Sequence, residues 1–94
     1  MAKKDGSKNN NVRDQLRHFI IERFLPFSQT AMFEDSDSFM DKGIIDSTGV
    51  LELLEFIEER FQIKVEDEEV IPDNLDSLDR LTVYVGRKLG YAGQ

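Results

Sequence analysis

Hydrophobic residues recur at helical spacing in three stretches of the chain, separated by polar or helix-breaking residues. The first stretch predicts a helix that Asn11 caps, with Asp14 three residues later, and that ends at Pro26. One side of this helix carries the apolar residues Val12, Leu16, Phe19, Ile20 and Phe24. We therefore expect this side to face the core.

The second stretch predicts a helix from Ser47 to Phe61 with two chemically different sides. Its predicted core side consists of Val50, Leu53, Leu54, Ile57 and Phe61. The opposite side consists of Leu51, Glu52, Glu55, Glu58 and Glu59. No lysine lies one turn away to pair these carboxylates, so the pattern predicts an acidic, self-repelling surface.

The last third of the chain predicts one short and one longer helix. The short element covers Val65 to Ile71, with acidic residues at its start and Pro72 after its end. Asp76 or Ser77 caps the final helix, and Gly90 stands where a C-terminal glycine cap belongs. The core side of that helix is predicted to carry Leu78, Leu81, Val85 and Leu89.

Residues 26–46 show no sustained periodicity, which is unusual for so long a connection in a small domain. Scattered apolar residues predict a loop that is held across the helices, and these are Phe27, Met32, Phe39, Ile44 and Ile45. The predicted fold is all-α: a small bundle of three main helices plus one short helix, with a long loop between the first two helices.

A chain of 94 residues corresponds to one domain. We place this domain at residues 11–90. The polar residues 1–10 are expected to form a disordered leader, because they lack apolar periodicity. Residues 91–94 are expected to form a short C-terminal tail.

The charge balance is strongly acidic, with 12 lysines and arginines against 19 aspartates and glutamates and a net charge of −7. This balance argues against nucleic acid or an anionic membrane as a partner and favours basic protein surfaces. No apolar run is long enough to span a bilayer, and no signal-peptide pattern opens the chain, so we expect a cytoplasmic protein. The sequence contains no cysteine, so any thioester chemistry requires a thiol from a prosthetic group.

The run from Gly43 to Leu54 combines a serine, a preceding aspartate and the start of the acidic helix. This arrangement resembles the attachment site of acyl carrier proteins and peptidyl carrier domains, and the similarity covers roughly residues 12–90. In that family the matching serine carries a 4'-phosphopantetheine arm. The resemblance therefore implies that Ser47 is modified, that coenzyme A donates the arm, and that a phosphopantetheinyl transferase recognises Asp46.

The resemblance also implies a function without catalysis by the chain itself. Such a carrier holds acyl or aminoacyl groups as thioesters and delivers them to enzymes with basic docking surfaces, in fatty-acid-like or specialised metabolite biosynthesis. We expect a monomer that is not an enzyme and binds no metal. The residues expected to contact partner enzymes are Thr48, Leu51, Glu52, Glu55, Glu58 and Glu59.

Two positions in the first turn differ from the common family pattern. Thr48 stands where a larger apolar residue usually follows the serine, and Gly49 stands where many fatty-acid carriers have aspartate. A glycine inside a helix costs up to about 1 kcal/mol relative to alanine. The two differences favour a specialised carrier over the general fatty-acid carrier.

Two alternatives compete with this interpretation. Asp76-Ser77-Leu78-Asp79 also matches the short attachment signature, but only residues 78–94 follow Ser77, enough for one helix where the family architecture has two more. Ser77 is therefore predicted to be a helix cap. The alternative function is an acidic adaptor that binds a basic partner and is never modified.

Overall fold

The helices follow one another along the chain in the predicted order. The computed structural model describes residues 3–27 and 32–90. Its helices are α1 (Lys3–Arg23), α2 (Ser47–Phe61), α3 (Pro72–Leu75) and α4 (Leu78–Lys88). Single turns of 3₁₀ helix lie at Leu25–Phe27 and Asp67–Glu69, and the described residues contain no strand. This arrangement confirms the predicted all-α bundle of three main helices, one short helix and a long loop.

The N-terminus of α1 differs from the prediction. The helical backbone begins at Lys3, so Asn11 lies inside the helix and does not cap it. Residues 3–10 include glycine, serine and asparagine, which have low helix propensity, but no proline, so nothing in the sequence forces the hydrogen-bonding pattern to stop. Residues 3–10 offer no apolar side chain for packing, and the disorder of the leader stays a prediction. Residues 1 and 2 of that leader, and the predicted tail at residues 91–94, lie outside the described residues.

The short third helix also lies later than predicted. The acidic run forms only a 3₁₀ turn at Asp67–Glu69, closed by a 3.0 Å hydrogen bond from the Glu66 backbone N–H to Glu69 Oε1. The α-helix starts at Pro72 itself, which occupies the first helical position. A proline is well tolerated there because that position has no intrahelical N–H bond to lose. The prediction that Pro72 follows the end of the short helix is therefore wrong, because Pro72 is the first residue of that helix.

A single core joins all the helices and the long loop. The buried apolar residues are Val12, Leu16, Ile20, Phe24, Phe33, Phe39, Ile44, Ile45, Leu53, Ile57, Phe61, Leu75, Leu78, Leu81, Tyr84 and Val85. The predicted core residues Phe19, Val50, Leu54 and Leu89 are partly buried against this cluster. The periodicity did not identify Phe33 or Tyr84 as core residues.

Two arginines of α1 hold one part of the long loop. Asp35 accepts hydrogen bonds from Arg13, at 2.8 Å, and from Arg17. Arg13 also contacts Asp79 of α4 at 2.8 Å, and the Arg17 guanidinium lies over the ring of Phe33. These contacts link α1, the loop and α4.

The other part of the loop is held by Asp76, the residue just before the Ser77 cap. The Asp76 carboxylate accepts hydrogen bonds from the Ser38 hydroxyl and, at 3.0 Å, from the Met40 backbone N–H. Phe39, Ile44 and Ile45 of this part are buried as predicted. Met32 is exposed, so the prediction that it packs across the helices is wrong. The side chain of Phe27 lies outside the described part of the structure, so its packing stays a prediction.

Candidate functional site

The hydroxyl of Ser47 lies at the exposed first turn of α2 and has no capping role. Asp46 is the N-cap: its Oδ1 accepts a 2.7 Å hydrogen bond from the Gly49 N–H, and its carbonyl accepts one from Val50. Ser47 is therefore the first helical residue. Among the described residues, its hydroxyl has no hydrogen-bond partner. The side chain is free for chemistry.

Gly49 is buried directly behind this first turn. A Cβ atom at this position would lie 2.9 Å from Cε1 of Phe24 and 3.1 Å from Cγ2 of Ile45. Atoms this close overlap, so glycine allows the end of α1 and the loop to pack against the start of α2. This packing explains why a helix-disfavouring residue stands here. It also places Gly49 away from the accessible surface of the turn.

The rival serine has a different environment. Ser77 is only 4% exposed, and its Oγ accepts a 3.1 Å hydrogen bond from the Arg80 backbone N–H. It is the N-cap of α4, as predicted. An enzyme could reach Ser77 only if the helix start came apart.

Two carboxylates of the acidic α2 surface are already engaged within the chain. Arg23 of α1 pairs with Glu52 at 2.6 Å, and Glu58 Oε2 accepts a 2.9 Å hydrogen bond from the Val65 backbone N–H. The predicted self-repulsion of this surface is therefore relieved at Glu52, which pairs with a cation. The cation comes from another helix, beyond the reach of a rule about neighbours one turn away.

The remaining residues of the predicted contact set are exposed and follow Ser47 along α2. Leu51 is 62% exposed, and Thr48, Glu55 and Glu59 are also exposed. Among the described residues, no side-chain partner is found for Glu55 or Glu59. The accessible part of this surface therefore combines one large apolar side chain with two unpaired carboxylates.

A small apolar pocket lies beside the start of α2, between the loop and α3. Its volume is about 140 Å³. The lining residues are Phe39, Met40, Ile45, Val50, Leu53, Val70, Ile71, Pro72, Leu75 and Asp76. Val50 lies one helical turn after Ser47, so the pocket is close to Ser47 along the helix.

A hydrogen-bonded carboxylate holds the outer wall of this pocket against α4. Glu69 Oε1 accepts from the Tyr84 hydroxyl at 2.8 Å and from Lys88 Nζ at 3.0 Å. The backbone N–H of Glu66, together with these two donors, lowers the pKa of Glu69 from 4.5 to about 2. Burial, followed by the hydrogen bond to Glu69, raises the pKa of Tyr84. This cluster fixes the segment that leads into Val70 and Ile71.

No group of side chains suited to bind a metal ion occurs in the described part of the chain. None of the helices in residues 3–27 and 32–90 is long and apolar enough to cross a bilayer. Comparison with known proteins finds no family model that matches the chain and no match among the curated proteins. The functional assignment therefore depends on the residues themselves.

Proposed function

We propose that this protein is a carrier that holds acyl or aminoacyl groups as thioesters on a 4'-phosphopantetheine arm attached to Ser47. The observation that carries the proposal is that two neighbouring residues have different roles at the start of α2. Asp46 caps the helix, which leaves the Ser47 hydroxyl exposed and without a structural partner among the described residues. An exposed serine in this position can be modified without loss of the cap.

The surroundings of Ser47 suit the group that the proposal requires. The N–H groups of the first helical turn and the helix dipole favour a phosphodiester at this end of α2. When bound, the arm would supply the thiol that a chain without cysteine lacks. The residues of the chain hold the attachment oxygen at the surface and offer apolar space beside it. Among the described residues, no side chain is hydrogen-bonded to the Ser47 hydroxyl as a base would be, so we propose that Ser47 is a substrate of a transferase and not a catalyst.

The apolar pocket favours a carrier over an adaptor that is never modified. An adaptor surface needs exposed contacts, whereas a carrier of acyl groups benefits from an apolar recess within reach of the attachment point. Phe39, Val50, Leu53 and Ile71 give the pocket this apolar character. Its small volume suits part of a short acyl chain better than a long one.

Partner enzymes are proposed to dock around Ser47 through the exposed residues Thr48, Leu51, Glu55 and Glu59. Leu51 offers an apolar contact, while the two carboxylates attract a basic surface and speed its approach. Glu52 and Glu58 contribute less than the sequence pattern suggests, because intramolecular contacts already occupy them. We further propose that Asp46 contributes to recognition by the transferase.

The direct experiment is to incubate the purified protein with a broad-specificity phosphopantetheinyl transferase, coenzyme A and Mg²⁺ and to measure the intact mass. A carrier gains the mass of one phosphopantetheine group, and the Ser47→Ala variant gains none. An adaptor keeps its original mass under the same conditions. Unchanged circular dichroism of Ser47→Ala would show that the lost modification does not reflect unfolding.

A further inference from the structure

A wide groove runs between α1 and α2 on the side of α2 that faces away from Ser47. Its volume is about 590 Å³, and Phe19 and Phe56 lie within it. Their rings stack with centroids 4.0 Å apart and an interplanar angle of 8°. Both rings are only partly buried, so they give the groove an apolar floor.

Cross-helix contacts keep this groove in a defined register. Arg23 pairs with Glu52 at one end, and Arg60 donates a hydrogen bond to Gln15 at the other. The stacked phenylalanines lie between these contacts, one helical turn from each. The groove is therefore a preformed feature of two antiparallel helices, and a ligand would not have to create it.

An adjoining hollow on the α2 side shares Phe19, Arg23 and Phe56 with this groove. The groove itself is lined by two carboxylates and two guanidinium groups, and the adjoining hollow adds three more carboxylates, so the combined rim has a formal charge of −3 with His18 neutral. The carboxylates belong to Asp14, Glu22, Glu52, Glu55 and Glu59. Of these, Glu52 is paired with Arg23 and Glu22 lies 3.3 Å from His18. Asp14 and Glu59, on opposite rims, have no side-chain partner among the described residues.

An apolar floor between unpaired carboxylates is complementary to a ligand with an apolar centre and basic flanks. The geometry points to a binding site for a basic amphipathic helix of a partner protein, with one aromatic or large aliphatic residue placed against Phe19 and Phe56. A lysine or arginine side chain one turn from that residue, towards the Gln15–Arg60 end of the groove, would lie near Asp14 and Glu59. Helices that lie in grooves commonly bind through such regularly spaced contacts.

The floor of the groove faces away from the proposed attachment site, although Glu55 and Glu59 belong both to its rim and to the proposed docking surface around Ser47. Phe56 follows Ser47 by nine positions, and at about 100° per residue this places the two residues on opposite sides of α2. A partner in the groove would therefore leave Ser47 accessible. The inference does not depend on the modification of Ser47.

The probe is a synthetic peptide of about 15 residues, an alanine-based helix with one central tryptophan and lysines one turn away on both sides. The protein contains no tryptophan, so tryptophan emission reports the peptide alone. We expect a blue shift and increased anisotropy when unmodified protein is added. The Asp14→Lys/Glu59→Lys variant should weaken binding by about tenfold or more, because two favourable contacts become repulsive.

The matched control is Asp67→Lys/Glu68→Lys, which changes the net charge equally at exposed residues outside the groove. This variant should bind the peptide within about twofold of the original protein, since distant surface charges are screened by salt. Circular dichroism checks that both variants are folded. A peptide with glutamates in place of the lysines should not bind.

Three results would overturn the inference: no binding of the lysine peptide, equal binding of the glutamate peptide, or equal losses in the two double variants. The last result would mean that only net charge attracts the peptide. None of these outcomes depends on whether Ser47 accepts phosphopantetheine. The carrier function and the groove can therefore fail separately.

Discussion

The dipeptide Asp-Ser begins a helix twice in this molecule, and its two residues exchange roles between the two places. At α2, Asp46 caps the helix and Ser47 is exposed. At α4, Ser77 caps the helix, and the Asp76 carboxylate holds the long loop through Ser38 and Met40. The same dipeptide therefore provides an accessible hydroxyl at Ser47 and a capping hydroxyl at Ser77.

The residues that follow each serine explain the difference. Leu78 is fully buried, which draws Ser77 towards the core, whereas Thr48 is exposed and leaves Ser47 at the surface. Gly49 then allows Phe24 to pack behind the first turn of α2 without a side chain in the way. A short attachment signature is thus informative only together with the burial of its neighbours.

The largest contrast is expected at the residues after the two serines. Leu78→Ala should lower the free energy of unfolding by about 2–5 kcal/mol, because it removes a fully buried side chain and leaves a cavity. Thr48→Ala should change it by no more than about 0.5 kcal/mol, because the residue is exposed. Urea unfolding followed by circular dichroism measures both. Similar losses in the two variants would contradict the assigned burial.

Substitution of the two aspartates should produce a smaller difference in the free energy of unfolding. Asp76→Ala should cost about 1–3 kcal/mol, because it leaves the Ser38 hydroxyl and the Met40 N–H without their acceptor. Asp46→Ala should cost about 1 kcal/mol, the usual loss for an N-cap. Amide hydrogen exchange adds a local readout. Only Asp76→Ala should remove the acceptor of the Met40 backbone N–H and so speed its exchange. Equal exchange at Met40 in both variants would remove the proposed role of Asp76.

The serines themselves provide a smaller difference in stability. Ser77→Ala should cost about 0.5–2 kcal/mol through loss of the cap on Arg80. Ser47→Ala should stay within about 0.5 kcal/mol, since the hydroxyl contacts no described residue. Thermal unfolding of both variants tests this pair. A clear loss of stability in Ser47→Ala would show that the Ser47 hydroxyl has a structural role, and this would contradict the account.

The smallest effect is a dependence on pH at the Glu69 cluster beside α4. The pKa of Glu69 is lowered in the folded state to about 2 from 4.5, so its contribution is present above pH 4.5 and is lost as the pH falls towards 2. Glu69→Gln should therefore flatten the fall in stability across this window. Urea midpoints between these pH values provide the measurement. An unchanged slope in Glu69→Gln would contradict the hydrogen-bonded cluster.

The sequence predicted the bounds of α2 and its core side, because its apolar spacing is sustained from Val50 to Phe61. It also predicted that Ser77 is a cap, since too little chain follows for a carrier architecture. Pro72 was misread because proline both ends and begins helices, and the choice depends on the packing of Leu75.

The rest depended on contacts between distant parts of the chain. Arg13 with Asp35, Arg23 with Glu52, and Asp76 with the loop join residues that no local periodicity relates. The close approach of Phe24 to Gly49 likewise needs two elements to meet. These contacts decide which carboxylates are free and which serine is accessible.

The most direct test of the account is to locate the modification by tandem mass spectrometry after treatment with a phosphopantetheinyl transferase and coenzyme A. The account predicts the arm on the peptide that contains Ser47 and an unmodified peptide around Ser77. Ser77→Ala should still be modified as long as it is folded, and Ser47→Ala should not. An arm on Ser77, or a modified Ser47→Ala protein, would contradict the account.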